Sequence, residues 1–163
     1  MLALRYVYVM ALAIWLGGMV VLGALVAPTT FEVLQARQPA AGRALAGDVF
    51  GQTIARFHYV AYAAGTLLLV TLAAMRLLGP KPPAFGIRSG VITAMLAVTL
   101  YSGLVVLPSM DVIQQSAGSP ISALPASDHR RVEFERRHRF SERLMLLTMA
   151  GALVLLYWEA KER

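Results

Sequence analysis

The chain has 163 residues, of which 58% are hydrophobic and 15% charged, with a formal net charge of +6 and no cysteine. A soluble domain carries roughly 45–50% apolar and about 25% charged residues, so the surplus points to lipid around much of the surface. The missing cysteines exclude disulfides, zinc–thiolate sites, iron–sulfur clusters and thiol nucleophiles.

Residues 6–31 are uncharged and follow a single arginine, Arg5. This run is too long for the core of a signal peptide, and Pro28 stands directly after the one small-residue cleavage point near Ala27. A retained membrane helix over 4–34 is expected. As a helix the run reaches about 39 Å, ample for a hydrocarbon core of about 30 Å. Trp15, Gly17 and Gly18 fall mid-span, where glycines admit a neighbouring helix.

Residues 32–56 form a polar connection, and 40–56 are expected as a short surface helix. Helix 2 is expected over 57–77, with His58, Tyr59 and Tyr62 near its start and Gly65 near its middle. Gly79-Pro80-Lys81-Pro82-Pro83 is the clearest breaker in the chain. Helix 3 is expected over 89–114. A Pro- and Gly-containing loop follows, with Ser127 or Asp128 as the cap of helix 4 over 128–159. Glu133–Arg137 and Glu135–Arg139 stand four apart, acid before base, which suits a solvated stem projecting from the membrane. The fold class is therefore all-α, an integral membrane four-helix bundle in one domain, with helix 4 extended beyond the bilayer.

Gly23-Ala24-Leu25-Val26-Ala27-Pro28 recurs 80 residues later as Gly103-Leu104-Val105-Val106-Leu107-Pro108. Glu32 and Asp111 follow the two copies. Arg56-Phe57 and Ala64-Gly65 are echoed by Arg139-Phe140 and Ala150-Gly151. Two hairpins from a duplication are expected, in parallel orientation, and ligand sites often lie at such repeat interfaces. Pro28 and Pro108 should kink helices 1 and 3 at matching depth and free a backbone carbonyl.

Nine Lys/Arg residues lie on the side of the odd-numbered loops, between Arg37 and Arg143. Six lie on the other side: Arg5, Arg76, Lys81, Arg88, Lys161 and Arg163. The balance favours cytoplasmic odd loops, and a bacterial inner membrane is the expected location. Because the basic residues flank apolar spans, the expected partner is an anionic lipid surface, not nucleic acid.

His58 sits one residue inside helix 2, and ionisable groups at membrane depth are functional candidates. His138 lies on the helix 4 stem, with Ser141 and Glu142 one turn on. His58, His138 and Glu142, with Tyr62 and Met145 beside them, form the candidate ligand or metal site. Thioethers suit soft ions such as Cu(I), although methionine is also ordinary apolar filling. Measured from Gly65 and Gly151, the two histidines differ in depth by about 9 Å, which opposes a bis-histidine haem. There is no Walker loop, no Gly-x-Ser-x-Gly, no His-Glu-x-x-His and no intramembrane carboxylate pair.

Trp15-Leu16-Gly17-Gly18 followed by Pro28-x-x-Phe31 resembles the transmembrane protein 205-like family, a domain of unknown function. So do Val49-Phe50-Gly51, Arg56-Phe57, and Phe134…His138-x-x-Ser141. The resemblance spans nearly the whole chain and implies four membrane helices without naming a reaction. More distantly, the Trp-x-Gly-Gly helix is similar to copper-resistance D-type proteins and HemJ-type protoporphyrinogen oxidases. Those relatives imply haem or copper, but they carry a histidine about two turns before the tryptophan, and here Tyr8 is near that position. Three functions remain open. The leading one is a non-enzymatic protein that binds or moves a small ligand or soft metal. A haem-binding oxidoreductase and a structural or assembly subunit are the alternatives. Transport by so small a bundle would require a homodimer.

Overall fold

A computed structural model describes residues 2–79 and 82–161. Pro80 of the breaker, and Lys81 and Arg163 of the charge count, lie outside the described residues. Four helices are long and apolar enough to cross a membrane: α1 (Leu2–Arg37), α2 (Gly42–Leu78), α3 (Phe85–Ser116) and α4 (His129–Lys161). The chain is a multi-pass, all-helical integral membrane protein; among the described residues there is no strand. Helices satisfy every backbone polar group within the segment, which is the condition for crossing hydrocarbon.

Two helix starts differ from expectation. The separate surface helix over 40–56 does not exist. Residues 42–56 are the first turns of α2, which begins at Gly42 and not at 57. The segment is rich in alanine and holds no proline, so no breaker precedes Phe57. The real interruption is the turn before it. Gly42 donates to Gln38 O at 2.6 Å and lies against the backbone of Leu34, where no Cβ fits. Similarly, α3 begins at Phe85 and not at 89, with the Arg88 N–H bonded to Ala84 O at 2.9 Å. Arg88 is thereby carried inside a helix instead of flanking one.

The helices stand in a square. α1 packs on α2, α2 on α3, α3 on α4 and α4 on α1, while α1/α3 and α2/α4 are the diagonals. The core holds Tyr8, Leu12, Trp15 and Met19 of α1, Leu68 and Leu72 of α2, Ile92 and Met95 of α3, and Leu155 of α4. Burial in α1 and α3 recurs at the offset of the sequence repeat: Tyr8 with Arg88, Leu12 with Ile92, Trp15 with Met95, Met19 with Thr99, Leu22 with Ser102. Helix contacts follow the same spacing. A Cβ on Gly65 would stand 3.0 Å from Trp15, and one on Gly151 would stand 2.8 Å from Met95 Sδ. Gly18 lies under the Phe57 ring, whereas Gly17 has nothing within 4 Å and admits no neighbour, contrary to expectation.

The kinks expected at the prolines take the form of π turns. Leu22–Val26 and Ser102–Val106 are π-helical, closed by Ala27 N–H on Leu22 O and Leu107 N–H on Ser102 O. In a regular helix the rings of Pro28 and Pro108 would clash with the carbonyls four residues earlier. Widening the preceding turn by one residue removes the clash.

Beyond the membrane α4 is the expected salt-bridged stem. Glu133 pairs with Arg137 at 2.7 Å and with Arg136 at 2.6 Å, and Glu135 pairs with Arg131 at 3.0 Å. Hydrogen bonds from Arg137, then Arg136, hold the Glu133 carboxyl below its usual range. Asp128 caps the helix, accepting from the Arg130 N–H at 2.8 Å and its guanidinium at 2.9 Å. These Arg130 bonds lower the Asp128 pKa from 3.8 to about 2. Further in, α4 has the shortest uncharged run of the four, residues 144–158, or about 22 Å.

Two measurements check this architecture. Gly65→Val should destabilise the bundle by about 1–3 kcal/mol through overpacking against Trp15 and Leu96, read as a lower Tm in detergent, while Gly17→Ala should leave Tm unchanged. Because the folded pKa of Asp128 is depressed, its cap is complete above 3.8 and is lost as pH falls through about 2. A carbon-13 carboxyl titration of the folded protein should therefore give an Asp128 midpoint near 2, and a midpoint near 3.8 would contradict the cap.

Candidate functional site

The long α2 carries its polar aromatics just inside the membrane, two residues beyond Arg56. His58 and Tyr62 stand one turn apart on a single face, their rings edge to face at 5.9 Å. His58 Nδ1 lies 2.9 Å from Ile54 O. A carbonyl only accepts, so Nδ1 carries a proton, and in the neutral ring Nε2 is then the acceptor. Among the described residues Nε2 makes no hydrogen bond, and neither does the Tyr62 hydroxyl. Facing them is Gly103, the second residue of the α3 π turn. The Tyr62 hydroxyl and the imidazole edge lie against its Cα, in space that any side chain would fill. Beyond Tyr62, the residues Ala63, Thr66, Leu67 and Val70 form an open, mainly apolar face of α2 on the outside of the bundle.

The remaining sequence candidates lie elsewhere. His138 Nε2 faces Glu142 Oε1 at 3.3 Å, both side chains more than half exposed on α4, and Phe134 stacks on the imidazole. Met145 approaches the other π turn, 3.5 Å from where a Cβ on Gly23 would be. Since α2 and α4 are diagonal, His58 and His138 sit on helices that do not pack together. Among the described residues no group of three His, Asp or Glu side chains could hold a metal ion. A bis-histidine haem does not fit this arrangement, because His138 is committed to Glu142 on an exposed face.

Residues 10–119 match the family described as Domain of unknown function (DUF4149). The chain belongs to the DUF4149 family. No curated protein and no solved structure matches it. The matched segment of this DUF4149 chain takes in Trp15, His58, Tyr62, Gly103 and both π turns, and it ends before the α4 stem.

Sequence reasoning missed the most deeply buried charges of the DUF4149 bundle, at its opposite end. Glu159 near the end of α4 accepts from Arg5 Nε of α1 on Oε1, and from Arg88 Nη2 of α3 on Oε2 at 2.8 Å. Arg5 also reaches Glu159 O at 3.2 Å. The Arg88 guanidinium lies 4.8 Å from the centre of the Tyr8 ring, and Tyr8, Arg88 and Glu159 are all buried. Arg76 covers Phe85 in a second cation–π contact alongside. A signal existed. Arg88 stands 80 residues after Tyr8, at a core position of the repeat, and Glu159 closes the apolar run of α4. Reading both only as flanking charges hid their pairing.

Removing one partner of a buried ion pair leaves the others uncompensated. Glu159→Gln should cost on the order of 3 kcal/mol, seen as a large fall in Tm and in the yield of folded protein. Glu142→Gln, on the exposed stem, should be near neutral on the same measures.

Proposed function

We propose that the chain is a non-enzymatic membrane protein that binds a small ligand from the lipid phase, at His58 and Tyr62 near the odd-loop side of the bundle. One observation carries this reading: the His58–Ile54 bond leaves Nε2 free as an acceptor beside the Tyr62 hydroxyl, over a glycine in a widened helical turn. Small-molecule sites are oriented by a few closely placed polar groups, and π turns frequently mark functional positions. Because His138 pairs with Glu142 and Met145 lies at the other π turn, we assign the ligand to His58 and Tyr62 in preference to the wider set. This favours an organic ligand over a soft metal.

We also infer that the two hairpins descend from a duplication, supported by the 80-residue recurrence of buried positions and of π turns. The excess of Lys/Arg beside the odd loops supports a cytoplasmic location for them, in a bacterial inner membrane. The resemblance to transmembrane protein 205-like proteins supports a relationship with that family.

Native mass spectrometry of protein extracted from its own membranes into nanodiscs tests the ligand. The expected result is a near-stoichiometric small molecule on the wild type and on His138→Ala, lost from the His58→Ala/Tyr62→Phe double variant. A ligand-free wild type, or a double variant that keeps its ligand, would sink the proposal.

A further inference from the structure

We propose that Arg139 and Arg143 of α4 bind the phosphate of an anionic phospholipid, in the leaflet on the odd-loop side. This site is separate from His58 and Tyr62, which belong to the diagonal helix α2.

The proposal begins with the charge left over on the stem. Between residues 128 and 143 stand six arginines and four carboxylates. Asp128 takes Arg130, Glu133 takes Arg136 and Arg137, and Glu135 takes Arg131 at 3.0 Å. Arg139 reaches only the already occupied Glu135, at 3.9 Å, and its side chain is 61% exposed. Arg143 is exposed and, among the described residues, makes no ion pair or hydrogen bond. The fourth carboxylate, Glu142, faces His138 and stands about 100° round the helix from Arg143.

Position decides what these two cations meet. Four residues apart, they share one face of α4. The same face continues inward as Leu146, Leu147, Val154 and Tyr157, all exposed, on a helix that crosses the membrane. Lipid therefore lies against it. Residues 143 and 159 are 16 apart. That is about 24 Å of helix, against a hydrocarbon core of about 30 Å. A long side chain on a helix leans toward the N-terminus, which for α4 is the odd-loop side. Arg143 thus extends back toward Arg139, its methylenes along the apolar face and its guanidinium at headgroup level.

The group at that level which suits two guanidinium forks is a phosphate, anionic and rich in acceptor oxygens. A zwitterionic headgroup also carries an ammonium, which two uncompensated arginines repel. The headgroup of phosphatidylglycerol has none. The site accordingly selects for net negative charge as well as for phosphate.

The test uses the full chain, delipidated in mild detergent, with dioleoylphosphatidylglycerol and dioleoylphosphatidylcholine as probes. Native mass spectrometry reads the bound lipid. The wild type should retain phosphatidylglycerol severalfold over phosphatidylcholine, with the preference falling as salt rises. Arg139→Gln and Arg143→Gln should each lower it, by about fivefold at low salt, and together abolish it. Arg139→Lys/Arg143→Lys keeps the charge without the planar fork and should keep part of the preference. Arg37→Gln/Arg43→Gln removes the same charge from exposed, unpaired arginines beside the α1–α2 turn and should leave the preference intact. Equal retention of the two lipids by the wild type, or a preference that survives Arg139→Gln/Arg143→Gln, would overturn the proposal. So would an equal loss in Arg37→Gln/Arg43→Gln, which would make the effect one of overall charge. Displacement of phosphatidylglycerol by inorganic phosphate at the same concentration would replace the lipid site with a general anion site.

Discussion

The carboxylate of Glu159, held between the guanidiniums of Arg5 and Arg88, fixes the rest of the bundle. Three helices meet at this one group, and a charge at the edge of hydrocarbon tolerates no slippage of its partners. The contact sets the axial register of α1, α3 and α4. With one end pinned, the helical rise determines how deep every other residue lies. Gly65 then faces Trp15 and Leu96, and the α3 π turn meets the polar face of α2. The candidate site and the ion cluster occupy opposite ends, and the close-packed core between them carries registration from one to the other.

The two π turns are alike in setting and differ in what they receive. Each precedes a proline, each contains a glycine, and each receives a side chain from a neighbouring helix. At Gly23 that side chain is the apolar end of Met145. At Gly103 it is a hydroxyl and an imidazole. The same backbone device therefore gives an apolar joint on one side and a hydrogen-bonding surface on the other. The difference lies in α2 and α4, which place His58 and Tyr62 at one turn and the Met145 thioether at the other. Tyr8 and Arg88 differ in the same manner at the far end, where one repeat position carries an aromatic ring and the other a cation stacked on it.

What the sequence revealed and what it hid have physical causes. The four spans were legible because hydrocarbon demands long uncharged runs, and charges stop them. The i,i+4 pairs of the stem and the Asp128 cap were legible because their partners are local. The start of α2 was not, because an alanine-rich polar stretch suits a surface helix and a helix extension equally. In the site, the spacing of His58 and Tyr62 was readable, but Gly103 came into view only as part of a repeat. Its role depends on a contact between two helices that no local pattern encodes. The ion cluster was hidden for a related reason. Arg5, Arg88 and Glu159 each stand at the end of an apolar run, where charges ordinarily meet water, and only tertiary packing tells a buried end from a wet one.

The short apolar run of α4 gives that cluster a meaning for how the chain is made. A helix with about 22 Å of uncharged length, closed by a carboxylate, crosses a hydrocarbon core of about 30 Å only by bringing its flanking charges to the edges of the core. Within this chain it is also the last span to be synthesised. By the time Glu159 arrives, Arg5 and Arg88 are already at the membrane on α1 and α3, waiting as counter-ions. A copy whose α1 or α3 is misplaced would leave the Glu159 carboxylate without its counter-ions, so correct placement of the earlier spans favours that of the last.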